Sequence, residues 1–354
     1  MTVDSSNRPR SPAPTHPPRQ TRFSFAGVLE RWGVLAAFVL IFTVSAAKQG
    51  GDFLNVENFR NLLNQNAPVG ILAIGMTLVI VSGGIDLSVG SMLVLAAAVG
   101  TTTMNALIGA GWSELPAVAL GAAAAIATGV AAGSLTGGLI VLGRINPFIA
   151  TLGGLAAFRS IALAMAQAGE IRSQSATIFR MLGTGGVPLP GLVNNAGKPL
   201  TLSWSTVIML SIAVVAQWFL SRSRYGRHLV AIGANETAAR YTGVAIGWVR
   251  FRAYVIMGGL AAVAGLVQSS RMNSVSTSQL GIGSELDAIA AVVIGGTSLR
   301  GGFGRVWGTV VGVLILGMIT NFLTISGVSP YWQGAVKGAV IVLAVLVQRS
   351  SADR

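Results

Sequence analysis

The chain has 354 residues, of which 52% are hydrophobic and only 10% are charged. Soluble domains carry about 25% charged residues, so a water-soluble fold would leave much apolar surface uncovered. Cysteine is absent, which excludes disulfides, thiolate nucleophiles and cysteine metal sites. The two histidines, His16 and His228, lie outside the apolar stretches. We therefore expect no metal centre and no redox or hydrolytic chemistry on this chain.

Long apolar stretches fill most of the sequence. A transmembrane helix needs about 20 predominantly apolar residues. We therefore predict an all-α, polytopic membrane protein with about ten transmembrane helices. The predicted spans are 33–47, 67–82, 90–109, 116–142, 147–168, 204–220, 249–270, 284–298, 305–324 and 331–347.

The formal net charge of +13 raises the question of nucleic-acid binding. In the ten-span arrangement, however, most Lys and Arg residues fall on one side of the membrane. They lie in the N-terminal tail, at Arg144, around 222–252, at Arg300 and Arg305, and at the C-terminus. Because cytoplasmic loops carry an excess of Lys and Arg, we predict that both termini are cytoplasmic. The basic charge then reports topology, and we expect no nucleic-acid partner.

Composition divides the chain into a tail and a single membrane domain. Residues 1–24 are rich in Pro, Ser and Arg, which is typical of a disordered, basic cytoplasmic tail. We predict that 25–350 form one transmembrane domain, with an extracytoplasmic loop at 169–203 and a cytoplasmic loop at 221–248. Neither loop is long enough for an enzyme domain, so the chain is predicted not to be an enzyme.

The cytoplasmic loop contains a short predicted helix. Asn235 is a favourable N-cap, and the negative charge of Glu236 suits the first helical turn. Arg240 lies four residues after Glu236, so the two side chains can pair. Gly243 is a plausible C-terminal stop. A helix of about two turns is too short to be stable alone in water, so it needs packing partners.

Two small residues, Ala238 and Ala239, give this helix a face that fits a groove on another protein. The residues alone support two interpretations equally: a coupling helix that docks on a partner, or an ordinary surface loop.

Four ionisable residues are predicted at membrane depth: Arg159, Glu285, Asp287 and Lys337. Such charges are costly in lipid and usually pair or face water. Two of each sign in the extracytoplasmic half suggest ion pairs between spans, and a solute-pathway role is the alternative. Residues i and i+2 of a helix point about 200° apart, so the two acids do not form an acid–base pair.

Asp86 and Ser88 follow the Gly83-Gly84 pair, where the apolar stretch breaks. Irregular backbone is tolerated in membranes only where it is buried or lines a cavity. Either residue caps the next helix, or the break forms part of a pathway or gate. Asn146 before Pro147 is a similar helix start and Gln333 is a polar residue near a span, so we include both as possible pathway residues.

These segments together carry a family resemblance. The chain resembles the permease subunit of ribose-type ATP-binding-cassette sugar importers, and branched-chain amino acid permeases share a weaker form of the pattern. The four matching segments are 75–91, 146–153, 223–244 and 285–297. One departure is Arg159-Ser160, where the family pattern has Arg-Gly.

The resemblance implies a bacterial inner-membrane transporter with two permease subunits, expected to be a homodimer, and two cytoplasmic ATPases that hold ATP and Mg. An extracytoplasmic binding protein would deliver a monosaccharide or related polyol, and no cofactor would bind this chain. The ATPase-coupling residues would be Gly233, Asn235, Glu236, Ala238, Ala239, Arg240 and Gly243.

Two other classes of function fit the sequence less well. An ion-driven secondary transporter would need midplane acids on broken helices, and the two bases balance the acids available here. A membrane enzyme would need a constellation of His, Cys or clustered carboxylates, which the sequence lacks. The solute stays open among ribose, xylose, galactose, a methylated sugar and a polyol, and the second permease is either identical or distinct.

Overall fold

The computed structural model of this chain describes residues 25–175, 177–193 and 199–352. The predicted tail, 1–24, lies outside these residues. The helices of the described part are α1 (Phe25–Leu54), α2 (Val56–Val81), α3 (Val89–Gly109), α4 (Glu114–Val141), α5 (Pro147–Met165), α6 (Ile178–Thr184), α7 (Trp204–Arg222), α8 (Arg224–Ala234), α9 (Glu236–Tyr241), α10 (Ile246–Met272), α11 (Ser284–Ile294), α12 (Val306–Ile325) and α13 (Pro330–Ala352). The strands are β1 (Glu170–Arg172), β2 (Gly186–Val193), β3 (Pro199–Ser203) and β4 (Ser274–Ser276).

Within the described residues, seven helices are long and apolar enough to cross a membrane: α2, α3, α4, α5, α7, α10 and α12. The chain is thus a polytopic membrane protein, while the predicted count of ten is not confirmed. The predicted full span at 284–298 is wrong, because α11 has only 11 residues. At 1.5 Å per residue it is about 16 Å long, roughly half of a hydrocarbon core. The helix ends at Gly295, and the next residue, Gly296, has a φ of 85°.

The all-α prediction needs a second correction, because two small antiparallel sheets lie in the segments that follow α5 and α10. Strand β1 pairs with β4, and Ile171 lies opposite Val275. Strand β2 pairs with β3, and Val187 lies opposite Leu202. The predicted extracytoplasmic loop at 169–203 therefore contains β1, α6, β2 and β3, with two prolines in β2 that a helix interior would not tolerate.

The centre of the bundle is formed by α2, α3, α4 and α10. Helices α4 and α10 touch backbone to backbone, since a Cβ atom on Gly129 or Gly133 would overlap α10 carbonyls. Small residues favour this packing because apolar burial gives no drive between helices in lipid. Helix α12 joins the centre through a hydrogen bond of 2.7 Å between the Thr77 and Thr309 hydroxyls.

The predicted cytoplasmic loop at 221–248 is almost entirely helical. Helix α7 extends to Arg222, α8 and α9 follow, and α10 begins at Ile246. The Tyr225 hydroxyl in α8 donates to the carbonyl of Val249 at 2.9 Å, and burial raises the pKa of this hydroxyl. This contact fastens α8 to the start of α10.

Candidate functional site

Helix α9 forms where the capping residues predict it. The Asn235 side chain accepts a hydrogen bond of 2.9 Å from the Ala238 amide. Glu236 and Arg240 pair at 3.1 Å. Gly243 has a φ of 80°, the left-handed conformation that ends a helix. The helix is therefore defined locally at both ends.

The two alanines of α9 do not share one exposed face. Ala239 is only 4% exposed and packs into the core, whereas Ala238 is exposed. Neighbouring residues point about 100° apart on a helix, so only one of them can face a partner. Ala239 therefore packs against the bundle, and its role in docking stays a prediction. The exposed side of α9 carries Thr237, Ala238 and Tyr241, of which Tyr241 is 87% exposed.

Gly233, near the end of α8, is partly buried and packs against backbone. A Cβ atom there would overlap the carbonyl of Val81 and the amide of Gly302. These two groups are themselves hydrogen bonded, with the Gly302 amide donating to Val81 at 2.9 Å. Close packing explains a glycine at this position, and its predicted part in ATPase coupling stays a prediction. The end of α8 is thereby fixed to the end of α2.

Residues 82–88 interrupt the path from α2 to α3, and we refer to them as the α2–α3 break. Gly83 has a φ of 79°, and Asp86 is fully buried. Its Oδ1 atom accepts hydrogen bonds from the Ser88 amide (2.9 Å) and hydroxyl (2.5 Å). Its Oδ2 atom is buried without a hydrogen-bond partner among the described residues. The carboxyl thus orders the first turn of α3 and leaves one oxygen inside the bundle.

A second interruption faces the first. Residues 277–283, the α11 entry segment, lead from β4 to α11. Backbone contact joins this segment to the first turn of α3, since a Cβ atom on Gly281 would overlap the carbonyl of Gly90. A Cβ atom on Gly90 would also lie 2.6 Å from Oε2 of Glu285. Helices α3 and α11 therefore both begin within the bundle, next to each other.

Arg159 of α5 contacts the α11 entry segment. It donates to the carbonyls of Leu280 at 2.6 Å and Thr277 at 3.2 Å. Among the described side chains it forms no direct ion pair, although Glu285 attracts it electrostatically. The predicted pairing is corrected in this respect: the guanidinium supports an irregular backbone whose carbonyls lack helical partners.

Asp287 and Lys337 do come together, at 3.3 Å, and join α11 to α13. Glu285 lies beside Gly90, which is about 28 Å along α3 from the helix end at Gly109. The entry segment 277–283 is a series of turns. The position of the two acids in the extracytoplasmic half stays a prediction.

The two other predicted pathway residues make local contacts. Asn146 caps α5, and its side chain accepts from the Phe148 amide at 2.9 Å. Gln333 donates to the carbonyl of Val328 at 3.1 Å and the hydroxyl of Thr324 at 3.3 Å. Neither side chain bonds to the Asp86 group, so the structure does not bring the four predicted pathway residues together.

Two residues of α10 that contact the α2–α3 break were not predicted as site residues from the sequence. The Tyr254 hydroxyl donates to the carbonyl of Ile85 at 3.1 Å, inside the α2–α3 break. Arg250 contacts both Glu236 of α9 and the carbonyl of Ser82. The only available signal was their spacing of four residues, which puts both on one helix face.

An apolar bundle with two helices that begin in its interior, beside buried polar groups, defines an integral membrane transport protein. Irregular backbone at such depth lines a cavity or is buried in protein, and transporter sites are built at broken helices.

The chain belongs to the family described as "Branched-chain amino acid transport system / permease component", whose model matches residues 58–345. It is 39% identical to the ribose import permease protein RbsC of Escherichia coli (strain K12), over 92% of this chain and 95% of that protein. It is also 39% identical to RbsC of Bacillus subtilis (strain 168), over 93% and 96%. The xylose transport system permease protein XylH of Escherichia coli (strain K12) is 32% identical, over 92% and 93%. No solved structure matches the chain significantly.

Proposed function

We propose that this chain is the membrane-spanning permease subunit of an ATP-driven importer for a monosaccharide or related polyol. The observation that carries the proposal is the 39% identity to ribose import permeases of Escherichia coli and Bacillus subtilis, over more than nine tenths of each chain. The similarity to a xylose permease supports pentoses as the first solutes to test. The protein would reside in the inner membrane of a bacterium.

We propose ten crossings for this protein. Seven are the long apolar helices, and α1 and α13 add two more. The tenth is composite: the α11 entry segment crosses one part of the membrane and α11 crosses the rest. This arrangement supports a cytoplasmic position for both termini and for α9.

The solute pathway would pass the junction of the two interrupted helices. Buried Asp86 and Ser88 lie on one side of this junction, and Glu285 and Arg159 lie on the other. Carboxylates, hydroxyls and carbonyls are groups that hydrogen bond to sugar hydroxyls. A small number of such groups would suffice, because a binding protein would supply the affinity.

Coupling to the ATPase would use the exposed side of α9. A cytoplasmic ATPase that holds ATP and Mg would receive Ala238 and Tyr241 in a cleft, while Ala239 and Gly233 hold the helix on the bundle. A second permease subunit, expected to be identical, would complete the transporter, and a binding protein would dock on the extracytoplasmic side.

Uptake in cells tests this proposal. Cells without their own pentose importers would express the chain with its cognate ATPase and binding protein, and take up labelled ribose, xylose, galactose and a polyol. We expect uptake that ATP depletion abolishes and an ionophore spares. Ala238→Arg should abolish uptake at normal membrane abundance, and Ala238→Ser should retain it. Ionophore-sensitive uptake would instead indicate a secondary transporter. Labelled leucine would be tested as well, and uptake of leucine but of none of the sugars would indicate an amino acid permease.

A further inference from the structure

One arginine contacts both the proposed coupling helix and the proposed pathway. Arg250 lies in the second turn of α10, and its side chain is 25% exposed. Its Nη2 atom pairs with Oε2 of Glu236 at 2.8 Å. The guanidinium also lies 3.4 Å from the carbonyl of Ser82, the first residue of the α2–α3 break. A guanidinium has several donors in a rigid fork, so it can hold two acceptors at once.

Backbone contacts reinforce this position. A Cβ atom on Gly301 would lie 2.9 Å from the amide nitrogen of Gly83 and 3.0 Å from Cα of Gly233. The connection between α11 and α12, the end of α8 and the α2–α3 break therefore touch at one point. Displacement of the end of α8 would therefore push on the α2–α3 break and on the connection between α11 and α12.

One turn further along α10, Tyr254 extends the contact toward Asp86. Its hydroxyl donates to Ile85, the residue before the buried carboxyl. Arg250 and Tyr254 thus hold both ends of the segment that leads from Ser82 to Asp86. Polar contacts from one rigid helix to an irregular segment are suited to move that segment as a unit.

We propose that Arg250 is a positioning residue that transmits the displacement of α9 to the α2–α3 break and so couples ATPase closure to the pathway at Asp86. This inference rests on the proposed function, since it assumes an ATPase docked on α9. Coupling through two discrete contacts requires that the break has two positions and that the Glu236–Arg250–Ser82 contacts bias them.

The natural absence of cysteine provides a clean readout. Leu87 lies in the break and is partly exposed, so Leu87→Cys reports access to this segment. The transporter, with its ATPase, would be reconstituted in nanodiscs and labelled with a thiol reagent, with and without ATP and vanadate. We expect the labelling rate to differ about 5-fold or more between the two states, the lower range of allosteric coupling.

Arg250→Met removes the guanidinium and keeps an apolar side chain of similar length. We expect it to bind the ATPase and to hydrolyse ATP, but to lose the nucleotide-dependent difference in labelling. Arg252→Met is the matched control, because Arg252 is an exposed base on the same helix that stacks on Trp248. It should keep the native difference. Tyr254→Phe, a second variant, should reduce the difference without altering the contact with α9.

The outcomes separate the two proposals. If Arg250→Met keeps the nucleotide-dependent difference in labelling rate, the proposed role of Arg250 is overturned, while the proposed importer function is unaffected. A transporter that carries only Leu87→Cys, binds the ATPase and shows no change in thiol labelling also overturns the inference, because the break then does not move. Failure of the native chain to bind the ATPase overturns the proposed function, and the inference falls with it.

Discussion

The α4–α10 interface and the α3–α11 junction both bring backbones together at glycines, yet they differ in everything around those glycines. Gly129 and Gly258 lie in regular helices among apolar neighbours. Gly90 and Gly281 lie where helices begin, beside Glu285. At the α4–α10 interface, which we call the frame, glycine allows regular helices to pack closely. At the α3–α11 junction, it allows irregular backbone to lie beside polar groups. We expect substitutions to affect assembly in the frame and transport at the junction.

The largest effect should come from the frame. Gly258→Leu places a side chain against the Gly129 carbonyl. Overpacking a core typically destabilises a protein by about 1–3 kcal/mol, and we expect a larger destabilisation here because the backbone itself must move. We expect loss of folded protein from the membrane, measured by abundance and size-exclusion profile.

The neighbouring glycine is the control. A Cβ atom on Gly259 would lie 3.6 Å from Cγ2 of Val130, an ordinary contact. Gly259→Ala should therefore be neutral, or more stable by up to about 1 kcal/mol from helix propensity. Equal damage from both changes would show that α4 and α10 do not pack as described.

The next effect should appear at the junction. Gly90→Ala pushes α3 away from the Gly281 carbonyl and Glu285, at a cost of about 1–3 kcal/mol. We expect normal membrane abundance with a loss of uptake, measured with the labelled sugars. Gly153→Ala on α5 is the control, since nothing lies within 4 Å of a Cβ atom there. Normal uptake in Gly90→Ala would argue against a pathway at this junction.

A smaller effect is expected from the Asp287–Lys337 pair. Both side chains are partly buried, at 30% and 24% exposure, so Lys337→Met should cost about 1–2 kcal/mol, between exposed and buried pairs. The thermal midpoint of the purified protein would measure this cost. The exchange Asp287→Lys with Lys337→Asp should restore the midpoint. The corresponding exchange of Arg159 and Glu285 should not, because Arg159 donates to carbonyls.

The smallest effect should come from the cap of α9. Asn235→Ala removes the acceptor for the Ala238 amide and should destabilise α9 by about 1 kcal/mol. Faster proteolysis or hydrogen exchange within 235–243 would report it. Asn235→Asp keeps an acceptor and should behave like the native protein. No change with Asn235→Ala would mean that packing alone orders α9.

Local chemistry explains which predictions were accurate. The limits of α9 follow from Asn235 and Gly243, because capping depends on residues close in sequence. The start of α5 at Asn146-Pro147 is accurate for the same reason. Long apolar segments also predicted most of the membrane helices, since length and hydropathy are sufficient for that purpose.

Contacts between distant segments explain the errors. Ala239 is buried because α9 lies against the bundle, which its own sequence does not reveal. Arg159 finds carbonyls instead of an acid because the α11 entry segment is irregular. In the sequence, Arg250 is one of several basic residues that predict the cytoplasmic side of the membrane, and nothing more could be inferred for it. Its partners lie 14 and 168 positions away in the chain, at Glu236 and Ser82, where no periodicity connects them.

The β1–β4 ladder has a mechanical consequence. Strand β1 follows α5 and strand β4 follows α10, so the ladder ties the ends of these two helices together. Their opposite ends, near Asn146 and Ile246, have no such tether within the described residues. A rotation of α5 about this ladder would displace its Asn146 end more than the end that the ladder holds.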